Sequence, residues 1–84
     1  MNSAKKNNFQ ATIEKVDLLI HEAYEIRNLD TFQSIALCDE ALFISEKTKY
    51  EKGKAEALNQ KGFCHVQVAD FASALGELHA ALKI

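Results

Sequence analysis

Residues that interrupt helices are scarce in this chain of 84 residues, which has no proline and only three glycines. Without proline, helix ends have to be set by polar capping side chains rather than by residues that break a helix. No segment alternates polar and apolar residues between turn signals, which is the pattern that predicts a strand. We therefore expect an all-α protein.

Long apolar runs and a strong charge of one sign are also missing. No run approaches the roughly 18 apolar residues that indicate a membrane span. The polar start of the chain lacks the apolar segment of a secretory signal. The formal net charge of −2 does not provide the basic stripe that nucleic-acid binding requires. These absences predict a protein that binds neither nucleic acid nor a membrane, and the free thiols described below indicate a cytoplasmic location.

The residues that carry chemistry are few and do not fall into site patterns. Cys38 and Cys64 lie among apolar neighbours in helical patterns, so we expect buried free thiols. His65 and His79 show none of the paired spacings of a structural zinc site. His21 has acidic neighbours but no nucleophile beside it, and no glycine-rich phosphate loop occurs. We predict no metal, no cofactor and no enzymatic activity.

What the chain does contain is apolar residues spaced three and four apart, the period of amphipathic helices. The first helix has its apolar positions from Phe9 to Ile26 and ends near residues 27–29. Asp30 caps the second helix, Gln33 completes a capping box, and the helix runs to about Lys47. A polar loop is expected over residues 46–51, followed by a third helix to about residue 68. Asp70 caps the fourth helix.

Two parts of the chain repeat each other at a distance of forty residues. Residues 30–35 match residues 70–75, and an Ala-Leu pair closes each amphipathic stretch, at residues 41–42 and 81–82. Self-similarity at such a period is typical of stacked repeats. We predict two antiparallel helix-turn-helix repeats, four helices in all, over residues 9–48 and 49–84, preceded by a disordered tail over residues 1–8.

The second half resembles a tetratricopeptide repeat, a family of helical hairpins that form solenoids. The matching residues are Leu58, Gly62, Phe71, Ala74, Ala81 and Leu82. In the first half Ser34 stands in place of Ala74 and Cys38 in place of Leu78, and the proline that normally follows the second helix is absent. The first helices align at an offset of thirty-nine and the second helices at forty, so the first turn is one residue shorter.

The forty-residue period exceeds the usual value of about thirty-four. It resembles a longer-helix subclass found at the N-termini of bacterial signalling proteins, which implies a regulatory part of a larger protein. Two hairpins fall below the usual minimum of about three repeats. We therefore expect either that the array continues or that a second copy covers its open end.

In such repeats the first helix of each pair lines a concave groove. The resemblance implies a partner-binding groove formed by Asp17, Ile20, Tyr24, Arg27, Glu56, Asn59, Phe63, Val66 and Gln67. Tyr24 and Phe63 occupy matching places and would be its anchors. The alternative is that Phe63 and Val66 pack against a further repeat or a second copy. A clamp for a terminal carboxylate is disfavoured, because Asp17 and Glu56 would repel an anion.

Two functions follow from these observations. The first is a protein–protein interaction module that binds a protein or a peptide. The second is a structural homodimerisation element, in which a second copy of the chain covers the exposed terminal helix.

Overall fold

A computed structural model describes the backbone of residues 2–84 and the side chains of residues 9–84. This part of the chain contains four α-helices and no strand, which confirms the all-α prediction. The helices are α1 (Asn2–Ile26), α2 (Thr31–Thr48), α3 (Glu51–Gln67) and α4 (Phe71–Leu82). The expected tail falls partly on Met1, which lies outside the described residues, while the backbone of residues 2–8 belongs to α1.

The two aspartates predicted as N-caps both cap helices. A side-chain oxygen of Asp30 accepts a hydrogen bond from the amide of Gln33 at 3.1 Å, and Asp70 accepts one from the amide of Ser73 at 3.2 Å. The reciprocal half of the capping box is not formed at Asp30. Its own amide donates to the carbonyl of Ile26 at 2.8 Å, so it is already satisfied by the end of α1.

Two helix ends use a backbone conformation that the sequence did not indicate. Lys49 and Ala69 have φ angles of 57° and 62°, in the left-handed region. At each of these ends the amide of the next residue reaches back five positions, from Tyr50 to Ser45 and from Asp70 to His65. This is the Schellman arrangement, which satisfies carbonyls at a helix end. The polar loop expected over residues 46–51 is wrong, since α2 continues to Thr48.

The hydrogen bonds at the ends of the two inter-helix turns differ in span by one residue. After α1, the Asp30 amide bonds four positions back, to Ile26. After α3, the Asp70 amide bonds five positions back, and Ala69 is the extra residue in the left-handed conformation. The helix bounds do not show the shorter first turn predicted from the alignment, since four residues (27–30) separate α1 from α2 and three (68–70) separate α3 from α4. Only the hydrogen bond that ends at the Asp30 amide spans one residue fewer than its counterpart at Asp70.

The helices pack in consecutive order along the chain. α1 contacts α2 and α3, α2 contacts α1 and α3, and α4 contacts α3 alone among the described residues. The principal dimensions are 49 × 28 × 13 Å. A thickness of 13 Å is that of two helix layers, because packed helix axes lie about 8–10 Å apart. This arrangement is consistent with stacked hairpins and differs from a closed bundle, in which α4 would return to α1.

The interior of the molecule lies between α1, α2 and α3. Val16 and Ile20 on α1 pack with Ala41 on α2 and Ala57 on α3. From α4 only Ala74 is buried. Phe32, in the first turn of α2, is exposed. The described side chains thus form a core between α1, α2 and α3, and α4 packs against α3 at the side of this core.

Gly62 marks the closest approach of α3 to α4. A Cβ atom at this position would lie 2.8 Å from two side-chain carbons of Leu78 and 3.5 Å from the Ala74 carbonyl oxygen. Gly53 has a similar reason to lack a side chain, since a Cβ there would lie 2.6 Å from the Tyr50 ring. Gly76 is different, because a Cβ added there would have no neighbouring atom within 4 Å.

A buried chain of hydrogen bonds joins three helices. The Cys64 thiol on α3 donates to the Ser34 hydroxyl on α2 at 3.3 Å. Ser34 in turn donates to the Ala23 carbonyl on α1 at 2.7 Å. Ser34, the departure from the expected alanine, is completely buried and therefore needs these partners. Its hydroxyl connects the first hairpin to α3.

We expect Gly62→Leu to lower the free energy of unfolding by about 2–3 kcal/mol, because a larger side chain overpacks the α3–α4 contact. Gly76→Ala is the matched control, where the added methyl meets open space and should raise the free energy of unfolding by up to about 1 kcal/mol. Urea denaturation followed by circular dichroism measures both. Equal stability of Gly62→Leu and the parent would contradict the proposed packing.

Ser34→Ala should lower the free energy of unfolding by about 1–2 kcal/mol, because the Cys64 thiol loses its acceptor and a buried hydrogen bond disappears. Ser45 offers a control on the same helix, since it is equally buried but its hydroxyl has no hydrogen-bond partner among the described residues. Ser45→Ala should be neutral or stabilising. Denaturation curves in which both variants lose the same stability would show that the Ser34 network contributes nothing.

Candidate functional site

The most distinctive side-chain arrangement lies where α1 ends beside α3. The Arg27 guanidinium carbon is 4.2 Å from the ring centre of Tyr24 and 4.1 Å from that of Phe63. Tyr24 is 49% exposed and Phe63 40% exposed, so neither ring belongs to the core. A cation between two aromatic rings is attracted electrostatically by both. The two predicted anchors are therefore joined through a third predicted groove residue.

The end of α1 is held in place by the first turn of α2, and this fixes the Arg27 backbone. The Thr31 hydroxyl donates to the Arg27 carbonyl at 2.7 Å. Nearby, Asp30 and Ser34 bond the carbonyls of Ile26 and Ala23. These bonds occupy carbonyls that a helix end leaves without intrahelical partners. Arg27 and Tyr24 consequently start from a well-anchored backbone.

A cavity of about 290 Å³ opens beside this stack. It lies between α1 with its following turn and α3, and is lined by Ile20, Arg27, Glu56, Asn59, Gln60 and Phe63. All of these except Gln60 belong to the set predicted for the groove. A second depression, of about 400 Å³, is lined by Glu14, Asp17 and Leu18 of α1 alone. Convergence of two elements makes the first cavity the better candidate for a binding site.

The remaining four predicted residues lie outside the lining of the cavity, including Tyr24, which borders it through its stacking on Arg27. Asp17 accepts a hydrogen bond from the Tyr50 hydroxyl at 2.8 Å. The Gln67 side chain donates to Asn28 at 2.7 Å and so joins the end of α3 to the turn after α1. Val66 is exposed. The side chains of Asp17 and Gln67 are thus already hydrogen-bonded to other parts of the chain. The set of candidate groove residues is therefore reduced to those that line or border the cavity.

Gln60 is a cavity residue that the sequence analysis missed. Its side-chain oxygen is buried and has no hydrogen-bond partner among the described residues. The repeat alignment assigned Glu56, Asn59 and Phe63 to the groove by their spacing, and Gln60 directly follows Asn59 on the same helix. That Gln60 also lines the cavity becomes apparent only from the way α1 packs beside α3 in the structure.

The charges and donors of the cavity suit a polar, uncharged or mixed ligand. Arg27 provides a positive charge, and stacking on its faces leaves the in-plane N–H donors of a guanidinium available. Glu56 and Asn59 add acceptors, and the Asn59 side chain is exposed. Ile20 and Phe63 supply apolar surface. This set of groups can bind backbone amides and an apolar side chain together.

A separate cluster of charges joins α2, α3 and α4. Lys61 lies 2.7 Å from Asp39 and 3.5 Å from Glu77, and Glu77 also contacts His65 at 2.6 Å. Burial opposes the charge of Lys61, but the hydrogen bond to Asp39 and the nearby carboxylates raise its pKa above the ordinary value. The cluster is the main polar attachment of α4, since Glu77 is its member on that helix.

The two cysteines are free and buried, as expected. Burial, with the neighbouring Cys64 thiol, raises the pKa of Cys38 to about 12, so this thiol stays protonated near neutral pH. A protonated buried thiol is a poor nucleophile and metal ligand. Within the described residues no cluster of His, Cys, Asp and Glu has the arrangement of a metal site.

Comparisons with protein-family models, with curated proteins and with solved structures find no match for this chain. The resemblance to tetratricopeptide repeats therefore stays a prediction from the sequence. Within residues 2–84, none of the helices has the length and apolar character needed to cross a membrane.

The contact between Tyr50 and Asp17 predicts an alkaline transition. Partial desolvation and the hydrogen bond to Asp17 raise the pKa of Tyr50 to about 12 from its ordinary value of 10. The folded state therefore binds the hydroxyl proton more tightly than the unfolded state does. The resulting stabilisation is complete below pH 10 and is lost as the pH rises towards 12.

Ultraviolet absorbance of tyrosinate measures this in the Tyr24→Phe variant, where Tyr50 is the remaining tyrosine. We expect a midpoint near 12, and a lower midpoint when Asp17→Asn is added, because the carboxylate charge is removed. The same midpoint with and without Asp17→Asn would show that the charge of the Asp17 carboxylate does not raise the pKa of Tyr50.

Proposed function

We propose that this chain is a non-enzymatic protein–protein interaction module whose groove between α1 and α3 binds a peptide or a segment of a protein. The observation that carries the proposal is the stacking of Arg27 between the half-exposed rings of Tyr24 and Phe63, at the edge of the cavity. Tyrosine and arginine are among the residues that contribute most to binding at protein interfaces.

The stack supports binding because its members are ordered before a ligand arrives. Three long side chains hold one another, and the Arg27 backbone is bonded to α2. Ordering such side chains during association costs about 0.5–1.5 kcal/mol each, and a preformed stack avoids part of this cost. The Glu56 carboxylate in the cavity lining disfavours a strongly anionic peptide.

The broader setting proposed for the module follows from the sequence resemblance. The consecutive packing of the helices supports a tetratricopeptide-like scaffold, because α4 contacts α3 alone among the described residues. Its place in a larger bacterial signalling protein rests on the forty-residue period. A cytoplasmic location is supported by two free, buried thiols, which fit a reducing compartment.

Homodimerisation is the second candidate function, and the surface of α4 favours it. Leu75 is 72% exposed and Leu82 86% exposed, on a helix that has one neighbour among the described helices. Contiguous exposed apolar surface marks an interaction site. A melting temperature that rises with protein concentration would support the dimer.

A random peptide library displayed on phage tests the groove proposal. Peptides selected on the parent chain should bind Tyr24→Ala/Phe63→Ala at least about tenfold more weakly, because both ring faces beside Arg27 are removed. Phe43→Ala is a matched control, since it removes an exposed ring on α2 that lies outside the cavity lining. Fluorescence anisotropy measures the dissociation constants.

Circular dichroism of the double variant should match that of the parent, because both rings are half-exposed. Selected peptides that bind the double variant as tightly as the parent would place the binding surface elsewhere. A large loss of helicity in the double variant would assign both rings to structural packing instead.

A further inference from the structure

The exposed apolar side chains of α4 have a spacing that reads the same in both directions. Phe71, Leu75, Leu78 and Leu82 follow one another at steps of four, three and four residues. These are the steps of the a and d positions of a heptad, which place side chains along one narrow line of a helix. We call these four residues the α4 seam.

A palindromic seam suits a second copy that runs in the opposite direction. In an antiparallel pair related by a two-fold axis, Phe71 of one copy lies at the level of Leu82 of the other. Leu75 then lies at the level of Leu78. Each a position meets a d position, and no side chain is left without a counterpart. A seam with unequal end steps would lose this match when one helix is reversed.

The charges near the seam also favour the antiparallel direction. The seam itself contains no charged residue, while Asp70 precedes it and Lys83 follows it. A parallel pair would place the two aspartates at one end and the two lysines at the other. An antiparallel pair brings ends of opposite charge side by side, and it also opposes the two helix dipoles.

The exposed area of the seam is sufficient for a weak dimer. Three of its four side chains are more than 60% exposed, and Leu78, which also packs on Gly62, is 37% exposed. Together with Ile84 they present on the order of 500 Å² per copy, so that even complete burial in a pair would only reach the roughly 1,000 Å² at the lower limit for a specific interface. We therefore expect a reversible dimer rather than a permanent one.

We propose that two copies of this chain pair through the α4 seam in antiparallel orientation, with Phe71 of each copy against Leu82 of the other. The inference rests on the second candidate function, homodimerisation. It adds which surface pairs and in which orientation the two helices lie. It is independent of the groove between α1 and α3. The paired seams bury apolar side chains that the single chain leaves in water.

Charge substitution at the two ends of the seam tests the direction. Phe71→Lys and Leu82→Glu should each weaken the dimer at least about tenfold, because each places a charge against an apolar side chain. An equimolar mixture of the two variants should dimerise more strongly than either variant alone. In the mixed antiparallel pair, one end combines lysine with glutamate and the other end keeps the native Phe71 and Leu82. Sedimentation velocity at several concentrations measures the dimerisation of each variant and of the mixture.

Phe32→Lys is the control for a lysine in place of an exposed phenylalanine. Phe32 lies in the first turn of α2 after Asp30, as Phe71 does in α4 after Asp70, and it is also exposed. This variant should dimerise like the parent. Circular dichroism at low concentration should show that all the variants remain helical, since each altered side chain is exposed.

The outcomes test separately whether the chain dimerises and whether the two α4 helices pair in antiparallel orientation. A parent chain that stays monomeric at high concentration would overturn both the second candidate function and the inference. A parent that dimerises, with a mixture no stronger than the single variants, would overturn the antiparallel seam and keep the dimer. Equal weakening by Phe32→Lys would show that the dimer uses a different surface.

Discussion

The structure depends on helices that approach one another across small side chains. Ala23, Ser34, Ala41 and Ala57 are completely buried, whereas all five phenylalanines are at least 40% exposed. Small residues allow close contact between helix axes, but each buries little apolar area, and hydrophobic stabilisation scales with that area. The large apolar side chains that would fill a wider core are consequently left at the surface. The core of small residues and the exposed aromatic rings are therefore both consequences of the close packing of the helices.

This constraint also explains how much of the fold the sequence revealed. The apolar period and the two aspartate caps depend on local geometry, so the four helices and the starts of α2 and α4 were predictable. The end of α2 was not, because the left-handed conformation that ends it is usually adopted by glycine or asparagine, and here a lysine adopts it. Ser34 counted only as a departure from the repeat pattern. Its bonds to Ala23 and Cys64 join residues that are distant in the chain.

The candidate groove was predictable to a similar extent. The repeat alignment placed Tyr24 and Phe63 at matching positions, because equivalent helices of a repeat present equivalent faces. It could not show that Arg27 lies between the rings, since this depends on the distance between α1 and α3. Half-exposure of both rings excludes a place in the core of the single chain. The exposed part of the Phe63 ring is therefore available to a peptide or to a further copy of the chain.

α3 lies between the two proposed surfaces, since it lines the groove and also packs against α4, which carries the seam, and this decides which substitutions are informative. Gly62 contacts α4, while the next residue, Phe63, stacks on Arg27. Substitution of Gly62 would therefore displace α4 and disturb the groove together, so it tests the fold and not either function. Phe71 and Leu82 lie at the two ends of α4 and are exposed, and Tyr24 lies on α1. Substitutions at these three positions leave the α3–α4 contact intact, so their effects on dimerisation and on peptide binding can be assigned separately.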